Sequence, residues 1–220
     1  MPSTDDRGAL FHRAPTYHYP VLVRSDGIYV FDKDGNRYID GISGAGNMTL
    51  GHGQSSIVQA MSQQAEALAF CFSTFFTNEL AERIALLAPG DLNHLFFVSG
   101  GSEAIEAAIK IARQYHVQRG EERRHVVISR WGSYHGDTLG ALAVTGPPGM
   151  RASFTPWLPE FPHVAPCYPY RRDFAGCEGK CNLKCAGDLE QAIVQVGPEN
   201  VAAFVAEPIV VASFVALCVT

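Results

Sequence analysis

Leu95, Phe96, Phe97 and Val98 form an unbroken apolar run bounded by polar residues, and a run of that length predicts a buried strand. Ser99-Gly100-Gly101-Ser102 follows as a tight turn. Beyond it Ile105, Ala108, Ile109 and Ala112 recur at helical spacing, predicting a helix with one apolar stripe. Glu106 and Lys110 fall at (i, i+4) in the order that favours an ion pair. The same test predicts strands at 28–32 and 37–40, joined by a Lys33-Asp34-Gly35-Asn36 hairpin turn, and further strands at 125–129 and 201–206. Helices are predicted over 54–68, 78–87, 138–144 and 187–196. Residues 1–25 read as irregular, 41–53 as a glycine-rich loop, and 150–185 as a long connection rich in proline and aromatics. Strands alternating with helices imply an α/β fold with a parallel-rich sheet flanked by helices, behind an N-terminal hairpin segment.

The composition is that of an ordinary globular chain, with 220 residues, 47% hydrophobic and 18% charged. A net charge of −5, with basic pairs only at Arg123-Arg124 and Arg171-Arg172, argues against a nucleic-acid partner. The polar stretch 1–13 has no apolar segment typical of a signal peptide, which makes the cytoplasm the expected location. The apolar tail from 201 onward is broken by Glu207 and Pro208, so no membrane span is expected. Cys167, Cys177, Cys181 and Cys185 cluster, but their last three follow C-x3-C-x3-C rather than a zinc spacing. They read as reduced thiols in a loop, with no metal expected, while Cys71 and Cys218 read as core residues.

In an open parallel sheet, ligands bind beyond the carboxyl ends of the strands. Three candidate groups fall there: the turn 99–102, the segment 131–136 containing Tyr134 and His135, and Glu207. The turn opens a helix whose first N–H groups are unpaired and whose dipole favours an anion. It lacks the Gly-Lys-Ser/Thr of a Walker loop and the spacing of a dinucleotide fingerprint, so the anion does not point to ATP or NAD. Glu103 and Glu106 can complement the dipole without a ligand. An anion cradle, a flat aromatic and a carboxylate on one edge suit a planar phosphorylated cofactor, best met by pyridoxal 5'-phosphate.

The stretches 27–44 (GIYVFDKDGNRYIDGISG), 96–113 (FFVSGGSEAIEAAIKIAR), 133–138 (SYHGDT) and 205–208 (VAEP) together resemble the class III aminotransferases, pyridoxal-phosphate enzymes of fold type I. The resemblance implies that Gly101 and Ser102 bind the phosphate, with Gly100 close by. It implies that Tyr134 stacks on the pyridine ring beside His135, and that Glu207 lies near cofactor and substrate. The loop 43–46 is implied at the substrate entrance near a dimer interface. In this reading residues 1–50 form an N-terminal segment and 51–220 a partial cofactor-binding large domain. The family moves an amino group from an amine or omega-amino acid to a keto acid, as a homodimer. The loop 43–53 and Phe75 and Phe76 do not select among donors.

The chain departs from the family pattern in its lysines. Transamination needs a lysine amine for the Schiff base and proton transfer, and an acid at the pyridine nitrogen. The four lysines are Lys33, Lys110, Lys180 and Lys184, and none resembles the Schiff-base context. The aspartate that follows on the next strand in the family is likewise missing. The expectation is the N-terminal portion of an aminotransferase, truncated and inactive alone. The alternatives are a non-catalytic binding or interaction module of the same fold, or another pyridoxal-phosphate activity, a lyase or a mutase.

Overall fold

The structure, a computed structural model, describes residues 19–69, 75–167 and 184–209. Expectations for Cys71, Cys177, Cys181, Cys218, Lys180 and the tail beyond 209 lie outside the described residues, as do the side chains of Phe75, Phe76, Lys184 and Cys185. The chain divides into two compact units at Asn93 and His94.

In the first unit, β1 (Leu22–Asp26) pairs antiparallel with β2 (Tyr29–Asp32), and β2 with β3 (Arg37–Ile39). The predicted hairpin is therefore the second half of a three-stranded sheet. β1 escapes a pattern reading because Leu-Val-Arg-Ser-Asp does not alternate; its pairing with β2 makes it a strand. Asp32 organises the β2–β3 turn. Its carboxylate accepts from the N–H of Asp34 (3.0 Å) and Asn36 (2.8 Å), from Asn36 Nδ2 (2.9 Å) and from Tyr38 Oη (2.8 Å). The Asn36 side chain leads in holding Asp32 below the usual carboxylate range. Helices α1 (Ser55–Ala67) and α2 (Phe75–Ala85) follow.

The glycine-rich loop has a defined shape. Ser43, Gly44, Ala45 and Gly46 are all left-handed, with φ of 49, 56, 57 and 86°. For the two non-glycine residues that costs about 1–2 kcal/mol each. Asp40 offsets part of it by accepting Gly44 N–H (3.0 Å) and by pairing with His52 Nε2 (2.9 Å). His52 is in turn fixed to Gly27 by two backbone hydrogen bonds.

The second unit centres on a parallel sheet ordered β5-β4-β6, with β4 at Val126–Arg130, β5 at His163–Val164 and β6 at Val201–Phe204. Val127, Ile128 and Ser129 of β4 are fully buried. Helix α3 (Gly101–Gln118) packs on α4 (Leu139–Val144) and β6, while α6 (Lys184–Val196) packs on β4 and β5. Between α4 and β5 lies α5 (Pro148–Arg151). Its Arg151 donates to the carbonyls of Ala143 (2.7 Å) and Thr145 (2.9 Å) that end α4, and to His163 Nε2 (2.8 Å). His163 Nδ1 therefore carries the proton and donates to Phe161 O (2.9 Å). Trp131 stacks on His163 at 4.4 Å between ring centroids.

Two expectations fail here. Residues 95–98 form no strand and no ladder among the described residues, with Phe96 72% exposed. An apolar run reports the burial it is suited to, whereas a strand exists only with a ladder partner, and no described strand reaches this one. The connection 150–185 is not wholly irregular: it holds β5, too short for any alternation to show. Among the described residues, no helix is long and apolar enough to cross a membrane.

Gly146 lies where a Cβ would sit 2.8 Å from the Trp131 carbonyl carbon and closer to Arg130 O and Gly132 N, all rigid backbone. Gly146→Ala should destabilise the second unit by about 1–3 kcal/mol, read by denaturant unfolding. An unchanged midpoint would contradict the close packing of the β4–α4 connection.

Candidate active site

Gly100 is the N-cap of α3, with extended φ of −169°, so any residue could adopt its backbone. What glycine provides is room: a Cβ at Gly100 or Gly101 would meet no atom within 4 Å. Glu103 Oε2 reaches back to Ser99 N–H (2.8 Å) and fixes the turn from the helix side. The N–H groups of Gly101 and Ser102 open the helix, where no preceding carbonyl is available to them.

The segment after β4 closes on this turn. Gly136 has φ of +134°, and a Cβ there would lie 2.9 Å from Ser102 Cα and closer to Ser102 Oγ. Only glycine fits. Asp137 N–H donates to Ser102 Oγ (3.2 Å), and Ser102 Oγ lies 3.2 Å from Asp137 Oδ1. Thr145, wholly buried, holds the segment from behind: its Oγ1 accepts from His135 N–H (3.0 Å), with Gly136 O and Ala141 O each at 2.9 Å. Tyr134 is half-buried, between the buried Ser133 and His135.

Glu207 follows β6, and its side chain is 21% exposed. Its Oε2 lies 3.8 Å from His135 Nε2 and 3.6 Å from Arg130 Nη2, and Arg130 Nη2 also donates to the Glu207 carbonyl. Burial pushes the His135 pKa down, Glu207 pulls it up, and Arg130 adds to the lowering. His135 is thus neutral near pH 7. Among the described residues, His135 Nε2 and Glu207 Oε2 have no hydrogen-bond partner. Orphaned buried atoms beside an open helix N-terminus fit a ligand with an anionic group and further polar atoms.

The structure therefore gathers Gly100, Gly101, Ser102, Tyr134, His135 and Glu207 on one edge of the second unit. Sequence reasoning missed Arg130, Thr145 and Asp137. Arg130 lies just past the predicted strand 125–129, beside Trp131, and its position there was the one available signal. Thr145 shows none, since a buried threonine in an apolar helix end looks like filler. Glu106 is a correction. It forms no ion pair with Lys110 and does not serve the dipole of its own helix. Its Oε1 accepts from Gly140 N–H (2.7 Å) and Ala141 N–H (3.3 Å) at the start of α4. No group of three or more His, Cys, Asp or Glu able to hold a metal occurs among the described residues.

The profile of the family "Aminotransferase class-III" matches residues 12–213. The chain belongs to the class III aminotransferases. It is 38% identical to an uncharacterised aminotransferase, YodT, of Bacillus subtilis over 90% of this chain and 46% of the relative. It is 34% identical to a putrescine–pyruvate aminotransferase of Pseudomonas aeruginosa, over 86% and 42%. A thermostable (S)-enantioselective omega-transaminase from Thermomicrobium roseum superposes with a TM-score of 0.83 at 37% identity, over 92% of this chain and 48% of the other. An omega-transaminase from Pseudomonas jessenii, solved with PMP, gives 0.85 at 32% over the same shares. The chain thus spans a little under half the length of these relatives. The fold is that of the pyridoxal-phosphate transaminases of fold type I, and pyridoxal 5'-phosphate is the family's cofactor.

The His135 titration tests this arrangement. Glu207→Gln should lower the His135 pKa further, because it removes the one influence that raises it; Arg130→Met should raise it. NMR titration of the imidazole reads both. His135 and His163 bind fewer protons folded than unfolded. Stability should therefore rise with pH from their lowered folded pKa values up to about 6.5, be fully present above that, and fall on acidification.

Proposed function

We propose that this chain supplies the phosphate-and-ring side of a transaminase site. The observation that carries the reading is the approach of Gly136 to Ser102, which sets Tyr134's segment beside an open helix N-terminus. The N–H groups of Gly101 and Ser102, with Ser102 Oγ and the space over Gly100, hold the phosphate. Tyr134 stacks on the pyridine ring. Glu207, its charge balanced by Arg130, orients polar groups of cofactor or substrate, and neutral His135 stands beside it as a proton donor or acceptor. Pyridoxal phosphate, when bound, supplies the electron sink that lets an amino group exchange with a keto acid. The donor is an amine or omega-amino acid and the acceptor a keto acid, supported by the names of the putrescine–pyruvate and omega-transaminase relatives. The whole protein works as a homodimer in the cytoplasm, and the cofactor-binding part is the portion of its large domain within residues 51–220.

The 220 residues alone do not transaminate. Lys110, the one lysine of the second unit whose side chain is described, is exposed on α3, eight positions past Ser102, or about 12 Å along the helix. It does not stand at the cradle. Titration of the chain with pyridoxal phosphate, followed by absorbance, should show reversible binding, with no stoichiometric borohydride-trapped adduct at a single lysine. A trapped adduct at one site would overturn the inactivity, and absence of saturable binding would overturn the site. Tyr134→Ala should weaken binding about 2- to 10-fold, the worth of one stacking contact. Asp137 presents a carboxylate beside the cradle hydroxyl. A like charge at about 5 Å costs about 1 kcal/mol in water, so Asp137→Asn should bind inorganic phosphate about 2- to 5-fold tighter.

A further inference from the structure

We propose that Glu106 is a positioning residue that sets the spacing between the phosphate end and the ring end of the site. The inference rests on the reading just given, and goes beyond it in naming a side chain that touches neither phosphate nor ring.

Ser102 and Glu106 lie one turn apart on the same face of α3. Both grip the segment that follows β4. Ser102 holds it at Asp137, just past Tyr134, and Glu106 holds the start of α4 through Gly140 and Ala141. The N-cap of α4, Thr138, makes no side-chain capping bond, so a carboxylate from another helix does the work a cap residue ordinarily does. The fit is close. A Cβ at Gly140 would lie 2.8 Å from Glu106 Cδ. Tyr134 precedes both grips, but α4, whose start Glu106 holds, ends at Thr145, and Thr145 binds His135 N–H and Gly136 O; the placing of α4 is thereby passed to the residues beside Tyr134. Releasing the start of α4 leaves the first turn of α3 intact but loosens the Thr145 hold on the ring platform. The structure therefore separates two affinities: inorganic phosphate meets the first turn of α3, which Glu106 does not touch, whereas pyridoxal phosphate also needs the ring platform placed by α4.

The full chain, wild type and variants, is titrated with inorganic phosphate and with pyridoxal phosphate. Hydrogen exchange at Gly140 and Ala141 reads the clamp directly. Glu106→Ala should lose about tenfold in pyridoxal-phosphate affinity, hold phosphate affinity within about twofold, and speed exchange at both amides. Glu106→Gln keeps an acceptor oxygen and should stay near wild type on all three readings. Unchanged pyridoxal-phosphate affinity in Glu106→Ala overturns the proposal, as does a parallel loss of both ligands, which marks a merely structural role. If Glu106→Ala does not fold, Gly140→Ala serves, since its methyl displaces the carboxylate. The same split is expected there, and wild-type binding by folded Gly140→Ala overturns the proposal. Failure of wild type to bind pyridoxal phosphate at all is a distinct result: it removes the functional reading, and this proposal with it.

Discussion

The approach of Gly136 to the first turn of α3 is the constraint on which the second unit depends. Two backbones meet there at a distance no side chain tolerates, at a φ only glycine adopts freely. That contact fixes where the chain leaves β4, and so where Tyr134 and His135 lie. It also explains the density of hydrogen bonds around it. Thr145 behind, Ser102 in front and Glu106 beyond each satisfy polar groups that the tight path would otherwise strand.

Charge is distributed around this edge in a way that favours an anion despite several carboxylates. Glu103 and Glu106 are committed to backbone N–H groups, which fix where their oxygens point. Glu207 is balanced by Arg130, and the neutral His135 adds no charge of its own. Asp137 is the one carboxylate directed at the cradle hydroxyl. The N–H groups of Gly101 and Ser102 are thus what the helix N-terminus offers a phosphate.

The sequence carried the anchors of this arrangement because they depend on local chemistry. A glycine pair before a helical stripe, an aromatic after a strand, and a glutamate at a strand end each show at short range. The ties between them do not. Glu106 reads as a surface ion-pair partner because Lys110 is four residues away, yet its true partners are 34 and 35 residues away. Thr145 and Arg130 are likewise defined by what they reach, not by their neighbours. β1 and β5 were missed for a related reason: both are strands by pairing, one without alternation and one only two residues long.

The failed strand at 95–98 shows which side of the cradle bears the load. Ordinarily a strand would hold the entering chain in place and the helix would merely receive it. Here Phe96, Phe97 and Val98 are exposed and unpaired, so the described contacts give the turn no support from before Ser99. Support comes from after it: Glu103 bonds back to Ser99 N–H, and Gly136 and Asp137 press on Ser102. The cradle is therefore held by α3 and the β4–α4 segment together. The apolar surface left at 96–98 favours association with any edge that offers hydrogen bonds. A partner strand there would lock the turn from its second side without altering the geometry that Ser102 and Gly136 already impose.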